Sequence, residues 1–184
     1  MNGKNRQKPM QKRKRTIAKD CAYIAVFVAL TIAAQLCFAA VPGVELVTVL
    51  FVSFAFAFGC RSGMIAATVF ALLRQLVFGF SPTVLILYLA YFNLLTLLFG
   101  FLGQRMVLRV KRVPLFTVIA CVCTVGFTML DNVITPLWLG YSGKLFKMYF
   151  WASFSFMIPQ VICTAVSVGV LFFPLAKFFK KLQQ

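Results

Sequence analysis

The sequence holds only three carboxylates, Asp20, Glu45 and Asp131, against 19 Lys and Arg, and it has no His. General acid–base chemistry relies on positioned His, Asp or Glu, and metal sites are built mainly from His, Cys and carboxylates. The six cysteines, Cys21, Cys37, Cys60, Cys121, Cys123 and Cys163, lie in or beside apolar runs without CxxC or zinc-type spacing. They read as small buried hydrophobes, and Cys121 and Cys123, two residues apart, do not share one face of a helix. A phosphate-binding loop is missing too, because Gly143-Lys144 is followed by Leu145 rather than Ser or Thr. These residues predict a chain that is no enzyme, calls for no metal or cofactor, and does not hydrolyse ATP alone. Binding is the chemistry left.

Groups that can bind stand out because their surroundings are so apolar. Hydrophobic residues make up 62% of the chain, with 22 Phe, 12% charged residues and a mean hydropathy of +0.94. A soluble domain carries about a quarter charged residues, and a globule of this length cannot enclose so much Phe, Leu and Val. The surplus must face lipid, so every ionisable or amide group inside a span is a functional candidate. At 1.5 Å of rise per residue, Arg74 lies about 18 Å and Asp131 about 25 Å along helices entered from the cytoplasm, both in the outer half. Gln35 falls in the outer half of the first helix, Asn93 and Gln160 near mid-depth, and Glu45 in the first outer loop. Tyr88, Tyr91, Trp138, Tyr141, Tyr149 and Trp151 lie nearby. Two outcomes are open: Arg74 pairs with Asp131 or Glu45 and the aromatics form an interfacial belt, or together they line a pocket. In a pocket, Arg74, Lys144 and Lys147 would suit a carboxylate or phosphate, and the aromatics a heteroaromatic ring.

The elements that position these groups are predicted from apolar runs of about 20 residues, closed by Pro, Gly and charge. The first span runs from Cys21 to about Val41, closed by Pro42-Gly43. A short second span covers Leu46 to Cys60, and a third covers Ser62 to about Phe80. Ser81-Pro82 breaks the chain before a fourth, Thr83 to about Gly103. Pro114 opens a fifth that ends near Pro136, and the sixth runs from about Met148 to Phe173-Pro174. The expected fold is an all-α integral membrane protein, a six-helix bundle over residues 19–181. It is preceded by a disordered basic arm, 1–18, and followed by a short tail, 182–184.

Six spans put both termini on one side, and charge says which. The arm carries eight basic residues from Lys4 to Lys19 and no acid before Asp20. Arg61, the loop with Arg105, Arg109, Lys111 and Arg112, and the tail with Lys177, Lys180 and Lys181 fall on the same side. The opposite loops hold only Glu45, Lys144 and Lys147. Positive charge marks the cytoplasmic face, so both termini are expected inside the plasma membrane, with the +16 net charge facing anionic lipid. The first apolar run is too long for a signal peptide, and the arm has no aromatic residue to stack on nucleic acid.

Ala25, Ala29 and Ala33 recur every four residues along one face of the first helix. Such small-residue spacing lets another helix approach closely, either within the bundle or from a partner. No internal repeat suggests a transporter with paired halves. A binder without an engine needs a partner, or it works without transport.

Ala25-Val-Phe-Val-Ala29, Pro42-Gly-Val-Glu-Leu-Val-Thr48 and Phe58-Gly-Cys-Arg-Ser-Gly63, in this order within a six-helix chain, resemble the substrate-binding S-components of bacterial energy-coupling factor (ECF) vitamin transporters. The resemblance covers about Lys19 to Lys181. It implies that Ala25 and Ala29 dock on a membrane coupling subunit driven by two cytoplasmic ATPases. It also implies a vitamin or precursor held near the outer face by Glu45, Phe80 to Pro82 and the Asp131 to Tyr141 region, which includes Asn132. A non-transporting scaffold of the bacterial rod-shape complexes is the rival of similar size, and it needs no outer pocket.

Overall fold

The computed structural model describes residues 8–40 and 46–183, and these described residues are 91% helical, with no strand among them. Its elements are α1 (Lys8–Phe38), α2 (Val47–Phe58), α3 (Cys60–Phe78), α4 (Pro82–Arg105), a 3-10 turn (Val110–Arg112), α5 (Val113–Leu139) and α6 (Lys144–Gln183). Five apolar segments are long enough to cross a bilayer: Ala18–Phe38, Cys60–Phe78, Pro82–Arg105, Val110–Leu139 and Lys144–Leu182. The protein is therefore an all-helical, multi-pass membrane protein.

Three expectations change. The predicted second span is a 12-residue helix, about 18 Å long against a hydrocarbon core of about 30 Å. Among the described residues, five helices rather than six have spanning length. The predicted ends at Pro136 and Pro174 are not ends, since both lie inside helices, as does Pro159. Proline withdraws the N–H that would bond the carbonyl four residues earlier, but membrane helices tolerate it because neighbouring groups re-satisfy the backbone. Finally, α1 is helical from Lys8, where the sequence predicts a disordered arm, and residues 1–7 lie outside the described residues.

The short helix is the centre of the molecule. Every residue from Val47 to Phe56 is buried, and α3, α4 and α6 pack around it. Its phenylalanines are the contact points. Phe51 meets Phe27, Phe70 and Phe92, and Phe54 stacks on Phe27 at 4.1 Å. Phe56 meets Phe116 and Phe172. Lipid is as apolar as Phe, so burial alone does not hold helices together here; close packing of shapes does. Edge-to-face ring pairs each add about 0.5–1.5 kcal/mol.

Glycines set how near α2, α3 and α4 come. Gly59 alone links α2 to α3, at φ 84°, a conformation that a side chain strains. A Cβ on Gly100 would stand 2.5 Å from the Cys60 nitrogen, and one on Gly103 would fall on the Phe56 carbonyl. The Gly59-to-Gly63 motif thus has a packing cause.

The same end of the bundle gathers the basic segments. Gln104 reaches Cys60 Sγ at 4.0 Å, Lys180 Nζ sits 4.7 Å from the Phe56 ring, and Tyr23 donates to the Leu182 carbonyl at 3.0 Å.

Candidate functional site

At the other end, two polar clusters flank Phe127. The first is built by the α5–α6 hairpin. Gly140 takes the left-handed conformation, φ 67°, that ends α5, and the Tyr141 N–H bonds the Pro136 carbonyl at 2.9 Å. This turn lays α6 back along α5, which puts Tyr149 opposite Asp131. The Asp131 carboxylate accepts one bond from Tyr149 Oη at 2.8 Å and another from Thr135 Oγ1 at 2.7 Å. Beside it lies a cavity of about 270 Å³, walled by Phe127, Thr128, Tyr149, Ser153, Phe156 and Gln160, among others. Farther along the interface, the buried hydroxyls of Thr124 and Thr164 meet at 3.1 Å.

The second cluster joins α1, α3 and α4. The Arg74 guanidinium lies 4.4 Å from the Tyr88 ring centre and 4.9 Å from that of Phe78, and its Nε is buried without a hydrogen-bond partner. Gln35 Nε2 donates to Tyr88 Oη at 3.2 Å. Gln75 Oε1 accepts the Ser81 N–H at 2.9 Å, which fixes the bend between α3 and α4. Phe127 packs on both Tyr88 and Tyr91 and also walls the α5–α6 cavity, so the two clusters are neighbours.

The Arg74–Asp131 pairing, one of the outcomes that the sequence leaves open, does not form: Arg74 rests on rings, and Asp131 on hydroxyls. The alternative partner, Glu45, lies outside the described residues. Of the other expected site residues, Asn132 is buried, with neither side-chain atom bonded. Asn93 accepts from Thr68 at 3.3 Å and donates to the Leu89 carbonyl at 2.8 Å, which makes it a strut between α3 and α4. Phe80, Trp138, Tyr141 and Trp151 are exposed; Trp151 leans on Phe154 and Tyr141 on Tyr149. None of these four lines the cavity.

Residues of this site not singled out from the sequence are Phe127, Thr128, Thr135, Ala152, Ser153, Phe156 and Met157. On α6 the signal was helical spacing: Tyr149, Ser153, Phe156 and Gln160 recur at the interval of one helix face and all line the cavity. On α1, Ala25, Ala29 and Ala33 are all exposed, with Val26 and Leu30 beside them, while Ile24, Phe27, Val28 and Thr31 are buried on the opposite face. The alanine ribbon thus lies on the exposed face of α1.

No family model matches the chain, and neither curated proteins nor solved structures yield a similar one.

Proposed function

We propose that the chain is the substrate-capture subunit of an ECF-type importer, binding a water-soluble vitamin or precursor and passing it to a membrane coupling subunit powered by two ATPase partners. One observation supports this reading above others: the exposed alanine ribbon on α1 is separate from the polar, aromatic-walled cavity on α5 and α6. Small residues give a partner helix close access, and a concave site with few convergent polar groups is how proteins hold compact organic molecules. In this reading the basic end is cytoplasmic in a bacterial plasma membrane, and both termini lie there. The short α2 then serves as the sixth, central element: it returns the chain to the basic end, and, largely enclosed by other helices, it can be shorter than the bilayer core. A scaffold of the rod-shape type would have no use for the cavity.

The test is vitamin uptake by cells carrying Ala25→Trp or Ala29→Trp. Transport is expected to fall to background while the purified variants still bind ligand. Normal uptake in both variants would remove the coupling role.

A further inference from the structure

Resting on the capture reading, we propose that the α5–α6 cavity recognises its soluble ligand through a cationic nitrogen, a protonated amine or a charged heteroaromatic nitrogen, with Asp131 as the counter-ion. The composition of the walls carries this. The only ionisable groups among the residues lining the cavity are Asp131 and Tyr149, and no Lys or Arg is among them. Both donors to the Asp131 carboxylate, Tyr149 Oη at 2.8 Å and Thr135 Oγ1 at 2.7 Å, are neutral hydroxyls. They orient the carboxylate without cancelling its charge. A carboxylate within a membrane span is costly unless something compensates it. Arg74, the cation that the sequence suggested for this purpose, stacks instead on Tyr88 and Phe78.

The remaining walls suit the same ligand. Phe127, Tyr149 and Phe156 present rings, whose faces attract cations once water is excluded. Ser153 and Gln160 supply a hydroxyl and an amide for further hydrogen bonds. The volume of about 270 Å³ equals about nine waters at liquid density, room for one substituted ring. Along α6 the lining extends from Tyr149 to Gln160, about 8 to 24 Å from the start of the helix at Lys144. With Lys144 at the outer surface, as the capture reading has it, the cavity reaches below a headgroup layer of about 5–7 Å, where a free solute fits better than a lipid amine. The charge preference is opposite to the carboxylate or phosphate that Arg74, Lys144 and Lys147 suggest from sequence.

The test uses the full chain in nonionic dodecyl maltoside micelles and three probes of one shape: benzylammonium, benzyl alcohol and benzoate. Benzylammonium is expected to bind at least about tenfold tighter than the other two. Asp131→Asn, which keeps the shape and one of the two acceptor oxygens, is expected to bring benzylammonium and benzyl alcohol within about twofold of each other, with folding checked by elution and circular dichroism. If that variant does not fold, Gln160→Lys, with folding checked by elution and circular dichroism, is expected to reduce the preference for benzylammonium over benzyl alcohol from at least about tenfold to within about twofold. Equal binding of the three probes, a preference for benzoate, or a cation preference that survives Asp131→Asn would overturn the proposal. Displacement of benzylammonium by phosphatidylethanolamine would also overturn it, in favour of a lipid amine. Those outcomes leave the capture role standing, because that role is read separately, from uptake in the Ala25 and Ala29 variants.

Discussion

Two alanine substitutions measure how tightly α2 is held at the centre. Gly103 and Gly126 both lie inside helices, so replacing either by Ala gains the same helix propensity, about 0.8–1 kcal/mol. Their surroundings differ. A Cβ on Gly126 has nothing within 4 Å, whereas one on Gly103 would meet the Phe56 carbonyl oxygen and stand 2.8 Å from both its carbon and its Cα. Ordinary contact begins at 3.4 Å, so α4 must move off α2 by about 0.6 Å to clear the two carbons, and farther to clear the nearer oxygen. Backbone atoms of a buried helix cannot swing aside as a side chain does. A gap of that size forfeits about a quarter to a half of the dispersion energy of each contact it opens, and overpacking costs about 1–3 kcal/mol. With the propensity gain common to both, the difference isolates that strain. At about 2–4 °C per kcal/mol for a chain of this length, Gly126→Ala should melt about 2–12 °C above Gly103→Ala and slightly above the parent. Thermal unfolding in micelles followed by Trp138 and Trp151 fluorescence reads both. Equal melting temperatures would refute the close approach of α4 to the α2 carbonyl.

Other predictions concern the polar interior. Thr124→Val and Thr164→Val should each destabilise the hairpin, and a double-mutant cycle should return a coupling of about 0.6 kcal/mol for the 3.1 Å hydroxyl pair; zero coupling would mean that the two hydroxyls do not bond. Gln75→Leu removes the acceptor of the Ser81 N–H and should cost about 1–3 kcal/mol, with faster amide exchange at Ser81; unchanged exchange would show that another group caps the bend. Tyr88→Leu takes away one ring under Arg74 and one hydrogen-bond partner of Gln35, so a melting temperature equal to the parent's would deny that cluster a structural role.

Much of this molecule was legible in its sequence, for physical reasons that also explain the failures. Lipid makes long apolar runs nearly unambiguous, so α1, α3, α4 and α5 fall close to their predicted places. Proline misled at Pro136 and Pro174, because a rule from soluble helices ended the helix where the membrane lets it continue. That α2 is short was visible, since Glu45 and Arg61 bound an apolar run too brief for an ordinary span. What was not visible was that α2 is enclosed on all sides, which depends on tertiary contacts alone. The charged residues were found by rarity, yet their partners were left open. Depth along separate helices places Arg74 and Asp131 at similar heights but carries no information on rotation about each axis. Rotation decides that Arg74 meets Tyr88 while Asp131 meets Tyr149. The exposed Trp138 and Trp151 were named for their type, whereas Ser153 and Phe156 matter for their phase on α6.

The central claim is that this bundle captures a small molecule and hands it to an ATP-driven module. Native mass spectrometry of the chain extracted gently from its own membrane tests both halves together. The account predicts one complex containing the chain, a membrane coupling subunit, two ATPase subunits and a small organic molecule released on activation. A chain that emerges with no small molecule, alone or bound to cell-wall machinery, would contradict it.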